Sequence, residues 1–269
     1  MKTRAITGFI FAFIVLALIL INGYSFTALF IIITTLCTLE FYKLVKAGDV
    51  KPQVITGLVL VFSVIIPFIF HFLYGKPISN LLFCVPFIIL VIITELYRNH
   101  SIPFHNIAYT IFGVVYATVP FCFFYALAFS NGQYSFHYPL GFILMLWSSD
   151  TGAYVFGITF GKNRLFERHS PKKSWEGFAG GLICSMLTAF ILSIYFTELP
   201  QIHWLVIGAI IASAGTLGDL SESMLKRSLS TKDSGSFLPG HGGFLDRFDG
   251  LLLAAPLVFV YLHVITINF

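Results

Sequence analysis

What most constrains this chain is its series of long apolar runs, separated by short polar segments. Nine can be drawn, at roughly residues 5–21, 25–41, 54–73, 80–97, 106–129, 138–160, 177–196, 202–220 and 251–268. Each approaches the ~20 apolar residues that carry a helix across a hydrocarbon core. Inside lipid every backbone polar group needs an internal partner, so such runs are helices rather than open strands. Only 10% of the 269 residues are charged, against roughly 25% in soluble domains. The expected fold is therefore all-α: a polytopic integral membrane protein of about nine transmembrane helices.

Lys2 and Arg4 ahead of the first run resemble a signal peptide. The sequence that follows it, Ile21-Asn22-Gly23-Tyr24, offers no small-x-small cleavage site, so a retained first span is expected. Basic residues set the sidedness. With the N-terminus in the cytoplasm and alternating spans, 15 of the 16 Lys and Arg fall on the cytoplasmic side, and only Lys76 falls outside. That sorting follows the positive-inside rule. It implies an inner (cytoplasmic) membrane protein with its C-terminus outside.

The two halves differ in character. Residues 1–130 contain three acids, Glu40, Asp49 and Glu95, and residues 131–269 contain the other nine. The first half reads as transmembrane scaffold and oligomer contact, the second as a catalytic region facing the cytoplasm. Glu40 and Glu95, at span ends, are expected to be solvated. Cys37, Cys84, Cys122 and Cys184 lie in apolar runs without metal-ligand spacing and read as reduced buried thiols. His71 and His263 read as interfacial or packed side chains.

The polar stretch 218–250 carries most of the chemistry. Asp219, Glu222, Ser223 and Lys226 share one helical face at the end of the eighth run. The small residues from Gly208 to Gly218 before them let that helix pack closely. The bland alternative is a helix end capped by solvated charges. Asp246 and Asp249 stand i, i+3 at the start of the ninth run, where simple capping by the helix dipole is the alternative. Asp219, Asp246 and Asp249 converging from two helices can hold one or two Mg²⁺ ions. Between them, Pro239-Gly240-His241-Gly242-Gly243 forms a tight turn whose N–H groups suit an anion. His241 there either binds phosphate or ties the loop together.

A second polar insertion runs from Gly161 to Gly177. Lys172 and Lys173 either grip a phosphate or touch anionic lipid heads, and Gly177-x-x-x-Gly181 favours close helix contact. Asp150 lies within an apolar run, where a carboxylate is costly and marks function.

Together these residues resemble the phosphatidate cytidylyltransferase (CDP-diacylglycerol synthase) family. The family signature is filled by Ser223, Lys226, Arg227, Lys232, Asp233, Gly235, Leu238, Pro239, His241, Gly242, Gly243, Asp246, Arg247 and Asp249. The stretches beginning Asp150-Thr151-Gly152 and Ser170-Pro171-Lys172 are also similar to it. Residues 1–130 match it only in being membrane-spanning. The resemblance implies attack of the phosphatidate phosphate on the α-phosphorus of CTP, giving CDP-diacylglycerol and pyrophosphate, with Mg²⁺. It implies that Asp219, Asp246 and Asp249 hold the metal. Lys226, Arg227, Lys232 and Arg247 would neutralise phosphates. Ser223 and the glycine turn would donate hydrogen bonds, and Lys172 and Lys173 would close over the site. The implied partners are CTP, phosphatidate, membrane lipids and a second copy of the chain, with no nucleic acid.

Three rivals stand beside this reading. A CDP-alcohol phosphotransferase would need an Ala-Arg element and aspartates four apart. A CTP-dependent polyprenol kinase would transfer a different phosphate. A transporter for a phosphorylated solute would call for an inverted repeat, and none is evident.

Overall fold

The computed structural model describes residues 2–229, 231 and 243–267, with side chains described from residue 6 to 265. All nine apolar runs are helical. They are α1 (Lys2–Ile21), α2 (Gly23–Val45), α3 (Val54–Tyr74), a 3₁₀ turn (Ile78–Cys84) leading into α4 (Val85–Leu96), and α5 (Pro103–Gly113) continued through a π turn (Val114–Thr118) into α6 (Val119–Leu127). They continue with α7 (His137–Phe160), α8 (Trp175–Tyr195), α9 (Gln201–Ser228) and α10 (Leu245–Ile267). Among the described residues, seven helices are long and apolar enough to cross a membrane. Of the other two runs, α7 carries the polar sequence Ser148 to Gly152 at its centre, and α1 is described with side chains only from Ile6 onward. Large apolar side chains such as Phe9, Ile55 and Leu96 are exposed, as befits surfaces solvated by lipid. The molecule is an integral membrane protein.

Local chemistry sets the helix ends. Asn22 separates α1 from α2 with a capping box, its side chain accepting from the backbone N–H groups of Tyr24 and Ser25. Gly75, at φ +62°, closes α3 in the left-handed conformation. One departure from an all-helical chain is a short antiparallel hairpin, β1 (Arg164–Phe166) with β2 (Ser170–Ser174). It occupies the basic insertion expected to be loop.

The chain divides into two compact units. The described residues of Met1–Tyr134 and Lys226–Arg247 form the first. Ser135–Leu225 and Phe248–Phe269 form the second. Thus α9 and α10 each change unit along their length.

In the first unit α2 is the central helix, with Phe26, Cys37, Phe41 and Tyr42 fully buried. The Tyr42 hydroxyl donates to the Thr110 carbonyl at 2.7 Å. Thr27 and Tyr125 share a hydrogen bond of 2.9 Å. Two carboxylates expected to be solvated are instead buried: Glu40 is 6% exposed and Glu95 2%. Partners distant in sequence make this affordable. Glu95 accepts from Gln53 Nε2 at 2.6 Å, Asn106 Nδ2 at 2.7 Å and Arg98 Nη1 at 2.7 Å. Glu40 accepts from the backbone N–H of Leu245 at 2.7 Å, fixing the first turn of α10 to α2. The Phe11–Phe244 ring contact and Leu229 lying over Gly48 likewise hold Phe244 and Leu229 within this unit. Replacing Glu95 with alanine strands one N–H of the Gln53 amide, which keeps only the Val91 carbonyl, and one N–H of the Asn106 amide. The expected cost is about 1–3 kcal/mol per stranded group, read as a lower thermal midpoint in detergent.

The second unit is built on close helix contacts. α7 and α8 meet through glycine. A methyl group on Gly177 would lie 3.2 Å from Gly157 Cα, and one on Gly181 would lie 2.9 Å from the Ser149 carbonyl oxygen. The Gly177-x-x-x-Gly181 face is thus a backbone-to-backbone seam. Ser185 of α8 donates to the Gly208 carbonyl of α9 at 2.9 Å, and Trp204 is buried on the same helix.

Candidate active site

Within the second unit, the approach of α9 to α10 decides the geometry. Gly215, Gly218 and Gly250 lie where the two backbones meet. A methyl group on Gly218 would stand 3.0 Å from Gly250 Cα and would strike the Asp249 carbonyl oxygen. This contact brings the next residues, Asp219 and Asp249, toward each other. Asp249 lies within electrostatic range of Asp219, Asp150 and Lys173. Four of the expected site residues are thereby gathered from α7, the hairpin, α9 and α10.

Lys173 is the cation of this group. Its Nζ stands 2.6 Å from Asp219 Oδ2 and donates to the Thr216 carbonyl at 3.5 Å. Ser223 Oγ donates to Asp219 Oδ1 at 3.4 Å, and the Gly250 N–H donates to Asp249 Oδ1 at 2.7 Å. The Asp219 side chain keeps 42% of its surface exposed, so it is reachable by a ligand rather than sealed among helices. Asp150 and Lys172 are exposed.

The remaining described candidates belong to the first unit. Lys226 Nζ stands 2.7 Å from Asp246 Oδ1, with both side chains largely buried. The Gly243 N–H donates to Asp246 Oδ2 at 3.2 Å, tying a residue just before α10 to its first turn. Arg227 and Arg247 are exposed. Lys232, His241 and Gly242 lie outside the described residues.

The expected metal set, Asp219, Asp246 and Asp249, is divided between the units, Asp219 and Asp249 in the second and Asp246 in the first. Among the described residues no three His, Cys, Asp or Glu side chains stand close enough to share an ion. Asp219 and Asp246, expected to act together, each face a lysine of their own unit. In the second unit it is Asp150 and Asp249 that share the surroundings of Asp219.

Glu176, which sequence reasoning passed over, shapes the site indirectly. Its carboxylate accepts from the Lys162 N–H at 3.1 Å, the Asn163 N–H at 3.2 Å and Asn163 Nδ2 at 2.7 Å. Ser174 caps α8 by accepting from the Gly177 N–H at 3.1 Å. These bonds tie the hairpin to α8 and fix the base of Lys173. A serine followed by an acid at the start of an apolar run was the available signal.

The chain matches the model of the cytidylyltransferase family over residues 2–265. It belongs to the cytidylyltransferase family. A Bacillus subtilis (strain 168) protein called phosphatidate cytidylyltransferase is 32% identical over 264 residues, covering 97% of each chain. Proteins of the same name from Staphylococcus haemolyticus and Staphylococcus aureus (strain COL) are each 35% identical, covering 97% of this chain and 99% of theirs. A cytidylyltransferase passes a nucleotidyl group between phosphates, and carboxylates set beside a lysine suit that work. Glu176→Ala is then expected to lower kcat/KM about tenfold through a loosened Lys173, because geometry slips of this order are felt in rate. Steady-state kinetics beside thermal unfolding would check this, with the unfolding midpoint of the helices little changed.

Proposed function

We propose that this protein transfers the cytidylyl group of CTP to phosphatidate, forming CDP-diacylglycerol and releasing pyrophosphate. The grouping of Asp219, Asp249, Asp150 and Lys173 carries the reading, and the relatives of that name support it. A phosphate monoester oxygen of the lipid attacks the α-phosphorus of CTP, and the bond to the bridging oxygen of pyrophosphate breaks. The attacking phosphate is already anionic near neutral pH, so no strong base is required. Catalysis is then alignment and charge neutralisation. Lys173 places positive charge on an incoming phosphate and releases Asp219 in doing so. Ser223 steadies Asp219. Asp246 holds Lys226, which with Arg227 and Arg247 is assigned to phosphate charge. Lys172, Lys232, His241, Gly242 and Gly243 are assigned to the same task.

The residues fit a divalent cation. Carboxylates within one another's field repel until a cation neutralises them, and their oxygens are the hard donors that Mg²⁺ prefers. Asp219 and Asp249 are the residues that would hold it. A bound Mg²⁺ would supply further neutralisation of the triphosphate. The sorting of 15 of 16 basic residues to one side supports a site on the cytoplasmic face of the inner membrane. There CTP arrives from water and phosphatidate from the leaflet.

Purified protein in phosphatidate–detergent micelles with CTP and Mg²⁺ is expected to form CDP-diacylglycerol only when phosphatidate is present. Nucleotide turnover indifferent to phosphatidate would overturn the proposal.

A further inference from the structure

Beside the Lys173–Asp219 pair lies a cavity of about 210 Å³ that the chemistry above does not use. Phe166 of β1, Trp175 and Phe178 of α8, and Thr216, Leu217 and Leu220 of α9 form most of its wall. All belong to the second unit. The cavity adjoins the charged group directly. The Thr216 carbonyl accepts from Lys173, Leu220 follows Asp219, and Trp175 lies two residues beyond Lys173.

Its walls are almost wholly apolar. The Thr216 hydroxyl is already spent on the Ala212 carbonyl of its own helix, at 2.9 Å. A nucleobase would therefore find few hydrogen-bond partners here, and a phosphate none that is charged. The volume is below the ~300–1,000 Å³ of pockets that enclose a whole drug-sized ligand, so it takes part of a ligand. Phe166, Trp175 and Leu217 remain 51%, 56% and 56% exposed at its rim. An apolar recess with exposed Phe166, Trp175 and Leu217 at its mouth, walled by the residue whose carbonyl accepts from Lys173, matches a molecule with an anionic head and a hydrocarbon tail.

We infer that this cavity seats the first segment of one acyl chain of phosphatidate, which makes the β1–β2 hairpin a lipid-recognition element. The inference rests on the cytidylyl-transfer reading for its choice of lipid. Lys173 then takes the phosphate while Phe166, Phe178 and Leu217 shield the methylenes beside the glycerol. Each buried methylene favours binding, so these residues govern affinity for the lipid and not for CTP.

Two measurements test this. Phosphatidate carrying a diazirine near the carbonyl end of one acyl chain is photolysed with the wild-type protein in micelles. Label is expected on peptides spanning 165–178 and 213–220, displaced by excess phosphatidate but not by phosphatidylcholine. Label confined to other segments overturns the inference. In the second, Leu217→Trp fills the cavity from its exposed rim. Its KM for phosphatidate is expected to rise about tenfold, the equivalent of losing about two buried methylenes, with KM for CTP within twofold. A rise in KM for CTP alone would assign the cavity to the base, and no change in either would also overturn the inference. Should Leu217→Trp fail to fold, the photolabelling decides alone. If the wild type makes no CDP-diacylglycerol, the functional reading fails, while the labelling pattern still reports whether the cavity takes a lipid chain.

Discussion

Asp219→Asn is expected to lower turnover about 10²–10³-fold, the scale on which removal of one aligned electrostatic group is felt. The substitution keeps the shape of the side chain and removes its charge. Lys173 then loses the carboxylate that positions its ammonium group at 2.6 Å. Asp249 loses the neighbour with which it would share a cation. The helix itself has little reason to suffer, because Asp219 is partly exposed and asparagine can still accept from Ser223. Thermal unfolding in detergent should therefore match the wild type. Asp249→Asn should bring a comparable loss, and the double variant little more, since residues acting as a unit are not additive. Full turnover in either single variant would remove that residue from the site.

Gly218→Val is expected to abolish turnover and to destabilise the protein together. The obstacle to any side chain here is backbone: the Asp249 carbonyl and Gly250 Cα, the latter 3.0 Å from a methyl group at this position. Backbone cannot rotate away as a flexible side chain can. α9 and α10 must separate, and overpacking of this kind costs about 1–3 kcal/mol. Their separation also parts Asp219 from Asp249. Alanine at the same position should show a smaller loss of both. The comparison that isolates the effect is Gly57→Val in the first unit, where a side chain strikes the buried Tyr42 ring. It should destabilise to a similar degree with a smaller effect on turnover per folded molecule. Unfolding midpoints and specific activity measured on the same detergent-purified samples would separate the two effects.

These expectations draw on features that were unequally legible in the sequence. The helical runs were plain, because lipid forbids most other backbone structures and apolar length alone then locates each helix. Small residues from Gly208 to Gly218 announced a close contact, and the structure identifies its partners as Ser185 and Ala189 for Gly208 and Gly250 for Gly215 and Gly218. The burial of Glu40 and Glu95 could not be read. Each depends on partners remote in sequence, Leu245 for the one and Gln53 with Asn106 for the other. A carboxylate at a span end looks solvated until such donors are known. The hairpin was hidden for a different reason: Arg164–Phe166 is too short for any alternation to show, and Pro171 argues against a strand. The pairing of charges was likewise out of reach. Lys172 and Lys173 are alike as sequence, and only the fold directs the second onto Asp219.

Cytidylyl transfer carries the α-phosphorus of CTP, and not its terminal phosphate, to the lipid. Purified protein given phosphatidate, Mg²⁺ and CTP labelled with ³²P at either the α or the γ position tests it directly. The expected result is α-label in the extracted lipid and γ-label in released pyrophosphate, both lost in Asp249→Asn. Lipid carrying γ-label would make the protein a kinase instead.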